Sequence, residues 1–249
     1  MILELDKVTV VFTSGPPLRR RVLEAMKDVS LHVEAGETLG VVGESGSGKT
    51  TTSRVVLGLQ RPTSGTVRFD GAPFPRRRRA LAGRMQAVLQ HPQWSLNPRM
   101  RVGQSVAEPL VVLGGPGRAE AAGRAADMLE QVGLERSFAD RYPHELSGGQ
   151  RQRVSIARAL VTRPGFLVFD EAVSALDVSV QVQILNLIKD LQAEFGFGAL
   201  FISHDLGAVR YVADRIAVMR AGQVVETAET GVFYRGPSHP YSQQLLEAL

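Results

Sequence analysis

The sequence predicts an α/β fold, because short apolar strands alternate with helices along much of the chain. Apolar runs too short for helices occur at 38–42, 166–169 and 198–202, and such runs are typical of parallel strands buried on both faces. The longest helix is predicted over 178–195, with an inner stripe of Ile184, Leu185, Ile188 and Leu191. The expected core is therefore a mixed, mainly parallel sheet with packed helices.

Two other stretches depart from this pattern. Alternating, β-branched segments at 2–12 and 22–33 predict an antiparallel N-terminal β subdomain. Further on, helical patterns alternate with Pro and Gly breaks, and the clearest helix is predicted over 119–132, with Ala122, Ala125, Ala126, Leu129 and Val132 largely on one face. We expect a single domain, 1–249, with a core of approximately 1–90 and 161–249 and an inserted helical subdomain of approximately 91–160.

Composition excludes several classes of site. Cys is absent, so the chain has no disulfide framework, no Cys-ligated zinc and no iron–sulfur cluster of its own. No apolar run reaches the ~18 residues of a membrane span, and the N-terminus lacks the layout of a signal peptide. A cytoplasmic location is the expectation.

The formal net charge of +4 reflects an excess of Arg, which is densest at Arg76–Arg79 and Arg19–Arg21. Either cluster is a candidate patch for nucleic acid or lipid headgroups. Both lie in Pro-bearing segments without interleaved aromatic residues, and short charge runs are weak indicators. Solvated loops are therefore the favoured interpretation, and no nucleic-acid partner is expected.

The stretch Gly43–Thr50 fits the phosphate-loop pattern of a Gly, four residues and Gly-Lys-Ser/Thr. It lies between a predicted strand and a helical stretch predicted over 51–60. Its glycines allow successive N–H groups to point at one anion, and the helix N-terminus adds partial positive charge. Lys49 is placed to reach the β and γ phosphates, and Thr50 to ligate Mg²⁺. The alternative is a glycine-rich turn, but the complete motif favours nucleoside triphosphate binding.

A second anion-binding element is predicted at Leu146–Gln150, before a helix expected over 151–162. Ser147 suits an N-cap, and Gly148 and Gly149 leave backbone N–H groups open at the helix start. This element need not serve the same nucleotide as the phosphate loop.

Polar residues end two of the predicted buried strands. Because ligands of such sheets bind at the carboxyl ends of strands, Asp170 is placed to hold Mg²⁺ and Glu171 to orient or deprotonate water. Solvated carboxylates are the alternative, which the phosphate loop disfavours. His204 is placed to contact the γ phosphate; pairing with Asp205, or capping the next helix, is the alternative.

Two further residues have local interpretations. Asp177 is a plausible N-cap for the helix predicted over 178–195. Phe12 is the last aromatic residue before a Gly-Pro break, and either stacks on a purine base or is an ordinary core or edge-strand residue.

Five elements thus follow one another in order: the phosphate loop, Gln90, Leu146–Gln150, Phe166–Glu171 and His204. Together they resemble the ATP-binding subunit of an ABC transporter, over essentially the whole chain. Leu146–Gln150 is the most specific element, since other phosphate-loop ATPases lack it.

Finer features are similar to the dipeptide, oligopeptide and nickel importer branch of that family. They are Leu89–Arg99, Val102-Gly103, Glu108–Leu110, Ser174–Gln181 and His239–Ser242 before Leu245-Leu246. The chain departs from the branch pattern at His91, where Asp or Asn is common, and at Ala172, where Pro is usual. It also lacks the C-terminal Cys cluster of some members, and so resembles the shorter partner of a two-ATPase pair.

The resemblance implies a role for each site residue. Glu171 is the general base, Gln90 reaches the metal and the water, and His204 steadies the γ phosphate. Thr50, Gln90 and Asp170 are implied to hold the metal, and Ser147, Gly148, Gly149 and Asp177 to meet the opposite ATPase. The residues implied to contact the nucleotide are Phe12, Gly43, Glu44, Ser45, Gly46, Ser47, Gly48, Lys49, Thr50, Thr51, Ser147, Gly148, Gly149, Gln150 and Asp177.

The resemblance also implies function and partners. The chain is expected to hydrolyse ATP with Mg²⁺ and to power an importer for peptides or nickel and metal chelates by ATP-driven dimer closure. The implied partners are two membrane-spanning permease subunits, a second ATPase (a paralogue or a second copy) and an extracytoplasmic solute-binding protein, at the cytoplasmic face of the membrane. The alternative is a soluble ABC ATPase acting on nucleic acid or ribosomes, which the single cassette without a long coiled-coil insertion disfavours.

Overall fold

A computed structural model of the protein describes residues 1–15, 21–90 and 95–247. The chain divides into two compact units, Met1–Arg76 with Gly198–Leu249, and Arg77–Phe197. Two parts of the sequence discussed above lie outside the described residues. They are Arg19 and Arg20 of the Arg19–Arg21 cluster, and His91 to Trp94 of the branch-like stretch Leu89–Arg99. Arg21 and Arg76–Arg79 are exposed, as expected for solvated segments.

The first unit begins with the antiparallel sheet that the alternating segments predict. Its strands are β1 (Leu3–Ser14), β2 (Arg21–Val33), β4 (Ser64–Phe69) and β5 (Ala72–Pro73), in the order β2-β1-β4-β5. Every pairing in it is antiparallel. The inward residues of β1 are fully buried, and they include Leu3, Val8 and Val10. The predicted N-terminal β subdomain is confirmed.

The same unit contains the strand that leads into the phosphate loop. This strand, β3 (Thr38–Val42), runs parallel to β8 (Gly198–Ile202) on one side and to β9 (Arg215–Arg220) on the other. A final strand, β10 (Gln223–Glu229), pairs antiparallel with β9. All residues of β3 and β8 are buried, as their solid apolar runs predict.

The described part of the first unit also contains the α-helices α1 (Lys49–Val56), α6 (Leu206–Val212), α7 (Thr230–Phe233) and α8 (Pro240–Glu247). Helix α1 ends at Val56, whereas the sequence pattern places its end at Gln60. Gly58 has φ +65° and stops the helix, since a left-handed residue breaks the helical hydrogen-bond series. Leu59 is consequently exposed and not packed on the helix face.

The described residues of the second unit include two parallel strands and four α-helices. Strand β6 (Met85–Leu89) pairs with β7 (Phe166–Asp170), and the helices are α2 (Val102–Val112), α3 (Arg118–Gln131), α4 (Gly148–Leu160) and α5 (Val178–Phe195). Strand β7 and the buried stripe of α5 agree with the sequence pattern. The limits of the predicted helical subdomain stay a prediction.

The inner face of α3 differs from the predicted one. Ala122 is exposed, whereas Ala121, Ala125, Met128 and Leu129 are buried. The several alanines of this helix permit two registers one residue apart, and Met128 decides between them because its large apolar side chain gains more from burial than a methyl group does.

Within the described residues, no helix combines the length and the apolar character that crossing a membrane requires.

The turn between β9 and β10 yields a first testable prediction. Ala221 and Gly222 both have positive φ, +47° and +81°, as in a type I′ turn, where Asn-Gly is preferred and Ala is disfavoured at the first position. Ala221→Asn is therefore expected to raise the free energy of unfolding by about 0.5–1 kcal/mol, measured by denaturant titration.

Ala228→Asn is the matched control for that variant, because Ala228 lies in the extended part of the same hairpin. It is expected to give no gain, since Asn is depleted in strands. A stability of Ala221→Asn equal to or below that of the wild type would show that the left-handed residue is not a source of strain.

Candidate nucleotide-binding site

The phosphate loop connects β3 to α1 in the first unit, as its motif predicts. Gly43 and Gly48 are closely surrounded by backbone: a Cβ at Gly43 would lie 2.1 Å from the Met219 carbonyl oxygen, and one at Gly48 2.7 Å from that of Ala25. Both have positive φ, +149° and +109°. Any side chain at these positions would therefore displace the loop.

The loop is open on its other side. A Cβ at Gly46, which has φ +80°, would meet nothing within 4 Å. Glu44, Ser45, Gly46 and Thr50 are exposed, while Ser47 is buried and Thr51 is half-buried. The loop thus forms a cradle with free space beside its exposed backbone and the start of α1, as an anion-binding turn requires.

Lys49 lies within the turn of the loop, and only 7% of its surface is exposed. Its Nζ donates hydrogen bonds to the carbonyl oxygens of Gly43 at 2.6 Å and of Glu44 at 2.8 Å. The Lys49 amine is thereby held at the loop that forms the cradle. It has the chemistry to bind phosphate oxygens there.

Other parts of the first unit brace the loop. The Gly222 N–H donates to the Ser47 carbonyl at 3.0 Å, and the Lys27 N–H donates to the Gly222 carbonyl at 2.8 Å. The Glu44 N–H donates to the hydroxyl of Tyr241 at 3.1 Å. Tyr241 is absent from the predicted site, because its only sequence signal is the branch resemblance of the segment that contains it.

In the second unit, Glu171 follows β7 in a left-handed conformation with φ +51°. Its carbonyl oxygen accepts hydrogen bonds from the Ser174 N–H at 3.2 Å and from the Ser174 hydroxyl at 3.0 Å. The side-chain amide of Gln90 donates to that same hydroxyl at 3.1 Å. Because L side chains rarely adopt such a φ, these bonds hold Glu171 in an uncommon conformation of the kind that clusters at functional sites.

The Leu146–Gln150 segment forms the start of α4, and Ser147 is its N-cap as predicted. The Ser147 hydroxyl accepts from the Gln150 N–H at 3.2 Å, and the Gln150 side chain accepts from the Ser147 N–H at 2.9 Å. This reciprocal pair is a capping box. Ser147 and Gly148 are exposed, whereas a Cβ at Gly149 would lie 2.6 Å from Cγ1 of Val180 in α5.

The remaining predicted residues lie at the ends of elements. Asp177 is exposed at the N-cap position of α5, and within the described chain its side chain makes no capping hydrogen bond. His204 is exposed after β8, and the cap of α6 comes from Asp205, whose carboxylate accepts from the Ala208 N–H at 3.1 Å. Phe12 is half-buried in β1 opposite Leu23.

Comparison with known proteins matches the part of the chain that contains these motifs. Residues 26–174, which include the phosphate loop, the Leu146–Gln150 segment and β7, match the family model described as ABC transporter. The chain belongs to the ABC transporter family. It is an ATP-binding subunit of that family and an ATPase.

Curated relatives of this ABC ATPase align along all or most of its length. A Brucella abortus (strain 2308) protein, "Putative peptide import ATP-binding protein", is 52% identical over 255 residues, which cover 100% of this chain and 76% of the relative. A Brucella ovis protein of the same description is 48% identical over 235 residues, covering 93% of this chain and 74% of the relative.

Solved ABC cassettes share the fold. The ATP-binding cassette MJ0796, as a dimer in a post-hydrolysis state bound to ADP and Pi, superposes with a TM-score of 0.78 at 31% identity, covering 92% of this chain and 98% of that one. The cbiO1 protein of Clostridium perfringens, part of the ABC transporter complex cbiONQ, gives a TM-score of 0.84 at 27% identity, covering 94% and 91%.

Proposed function

We propose that this ABC ATPase powers the import of peptides, or of nickel and other metal chelates, through a pair of membrane-spanning permease subunits. The observation that carries the proposal is the identity of 52% along the whole chain to a protein described as a peptide import ATP-binding protein. The branch-like segments at Ser174–Gln181 and His239–Ser242 support the same assignment. The work of the chain itself is ATP hydrolysis, coupled to those partners.

On this proposal, Gly43–Thr51 hold the nucleotide phosphates. The positive φ angles of three glycines and the open space at Gly46 support the role, because they form an anion cradle that is already shaped. Lys49 supplies the positive charge on the β and γ phosphates. Phe12 is proposed to stack on the purine base.

Mg²⁺ is the proposed metal. Among the residues that the structure describes, His, Cys, Asp and Glu form no group of three or more that could hold a metal ion by themselves. Mg²⁺ needs no such group, since it is commonly held by one or two carboxylates together with substrate phosphates and water. Thr50, Asp170 and Gln90 are the proposed protein ligands, and the ion would neutralise phosphate charge.

Glu171 is proposed to be the general base that accepts a proton from the attacking water, while His204 steadies the γ phosphate. Gln90 is proposed to sense the permease, and its hydrogen bond to the Ser174 hydroxyl supports this role. That hydroxyl in turn donates to the Glu171 carbonyl, so a movement of Gln90 would be transmitted through Ser174 to the backbone of Glu171.

A second ATPase, a paralogue or a second copy, is proposed to complete each site. The exposed Ser147 and Gly148, with Gly149 and Gln150, would contact the γ phosphate held by the opposite chain, and Asp177 would lie across the interface. MJ0796, a dimer bound to ADP and Pi, supports this arrangement. Because triphosphate fits both half-sites and diphosphate alone does not, binding would close the dimer, and loss of the phosphate that hydrolysis produces would release it.

The test is to tag the Glu171→Gln chain in its native cells, solubilise the membranes with Mg-ATP present, and identify the proteins that co-purify. We expect two multi-span proteins and a second ATPase, recovered from the cytoplasmic face of the membrane, and an extracytoplasmic solute-binding protein in the assembled system. The tagged Glu194→Gln chain, altered at an exposed residue of the same unit, is the control for the stability of the dimer. Recovery of ribosomes or DNA without membrane proteins would overturn the proposal.

A further inference from the structure

Tyr241 connects the C-terminal segment to the phosphate loop. It is the second residue of α8, only 3% exposed, and its hydroxyl accepts the hydrogen bond from the Glu44 N–H at 3.1 Å. The guanidinium of Arg220 lies over its ring, 4.6 Å from the centroid. The ring is thus held by packing and by a cation–π contact, and its hydroxyl is directed at the loop backbone.

The bond from Glu44 and one of the bonds made by Lys49 act on the same peptide group. The Gly43 carbonyl and the Glu44 N–H are its two ends. Lys49 binds the carbonyl at 2.6 Å, and Tyr241 binds the N–H at 3.1 Å. Gly43, at φ +149°, has no Cβ to restrict its own side of this peptide, so the two hydrogen bonds add to the restraint that the Glu44 backbone provides.

The segment that carries Tyr241 is itself fastened to β10. The Glu226 carboxylate accepts from the Ser238 N–H at 2.7 Å, from the Ser238 hydroxyl at 2.8 Å and from the His239 N–H at 3.1 Å. His239 Nδ1 then accepts from the Tyr241 N–H at 3.1 Å. Burial raises the pKa of Glu226, but the hydrogen bonds from Ser238 and His239 outweigh this effect and leave the pKa below its ordinary value, so this anchor is ionised at neutral pH.

We propose that Tyr241 is a positioning residue for the phosphate loop, which fixes the Gly43–Glu44 peptide in the orientation that receives the nucleotide. Through Glu226, the C-terminal segment 238–242 thereby sets nucleotide affinity, although it contacts no phosphate itself. The inference rests on the proposed role of Gly43–Thr51 in holding the phosphates.

Tyr241→Phe tests the inference, because it removes the hydroxyl and keeps the ring under Arg220. Tyr234→Phe is the matched control: the Tyr234 hydroxyl donates to the Leu206 carbonyl at 2.5 Å and its ring lies under Arg210 at 5.0 Å, and neither partner belongs to the phosphate loop. Burial raises the pKa of Tyr234 to about 12, so the control removes a neutral hydroxyl at pH 7. Each of the two tyrosine hydroxyls hydrogen-bonds to a backbone group.

The measurements are the Kd of the full-length protein for ADP, the KM and kcat for ATP, and the thermal midpoint. Tyr241→Phe is expected to weaken ADP binding about 2- to 10-fold and to raise KM with little change in kcat, the loss that follows from one neutral hydrogen bond. Tyr234→Phe is expected to bind ADP as the wild type does. Equal ADP affinity in Tyr241→Phe and the wild type, or an equal loss in Tyr234→Phe, would overturn the inference.

Glu226→Gln extends the test to the anchor and serves if Tyr241→Phe does not fold. It is expected to weaken ADP binding in the same direction, because a neutral amide holds the Ser238 and His239 N–H groups less tightly than a carboxylate does. An ADP affinity of Glu226→Gln equal to that of the wild type would show that the segment 238–242 does not set nucleotide affinity. A wild-type protein that fails to bind ADP would instead refute the assignment of the phosphate loop, and the inference with it.

Discussion

Glu171→Gln is expected to leave ATP binding intact and to reduce hydrolysis by about 10²–10⁴-fold, the usual effect of removing a positioned acid–base group. Gln has the shape of Glu but cannot accept the proton of the attacking water. The bonds from Ser174 go to the carbonyl oxygen of residue 171, so the substitution leaves them in place. Phosphate release at saturating Mg-ATP and the Kd for ATP are the two measurements.

The backbone makes this substitution a clean one. At φ +51° Glu and Gln experience the same steric strain, so the two proteins should have equal thermal midpoints. Glu194→Gln removes the same charge from an exposed position of the same unit and is expected to hydrolyse ATP normally. Near-normal ATP turnover in Glu171→Gln would show that Glu171 is not the general base.

Lys49→Met is expected to weaken the binding of both ATP and ADP by about 10- to 100-fold, because hydrogen bonds from a charged group contribute roughly 1.5–3 kcal/mol. Met keeps the length of the aliphatic stem but carries no ammonium. The loop would also lose the bonds that Nζ makes to the Gly43 and Glu44 carbonyls, so its shape before binding would be less well defined. Titration with each nucleotide measures the loss.

Lys27→Met is the control for charge, because the Lys27 side chain is exposed in the same unit and the contact to Gly222 uses its backbone N–H. This variant is expected to bind both nucleotides normally. Lys49→Arg is expected to bind nucleotide more weakly than the wild type, as Lys49→Met does, since a planar guanidinium does not fit a turn shaped around a compact ammonium. Tight ATP binding by Lys49→Met would mean that the loop holds phosphate through its backbone alone.

The predictable parts of this protein are those in which local sequence decides the outcome. The phosphate loop, the cap at Ser147 and the strand that ends at Asp170 each depend on residues adjacent in the chain, so their patterns suffice. The bond between Gln90 and Ser174 and the bond between Glu44 and Tyr241 join residues 84 and 197 positions apart. Such contacts depend on tertiary packing, which no local pattern contains.

The errors at helix ends and faces have a similar origin. The sequence pattern extends α1 through Gly58, because a single Gly inside an apolar period is tolerated and does not by itself mark a terminus. In α3 the alanines fit two faces, and only packing around Met128 separates them. The left-handed conformation of Glu171 has no sequence signal, since its cause is the set of hydrogen bonds at its carbonyl.

The position of β3 between β8 and β9 determines when the nucleotide site is completed during protein synthesis. The ribosome makes β3 early, yet its two neighbours leave the ribosome only after the contiguous unit Arg77–Phe197 has been made. Gly222 and Tyr241, which hold the loop, follow later still. A nascent chain would therefore carry the phosphate-loop motif before the strands and side chains that hold the loop, and nucleotide affinity would arise only after these have been made.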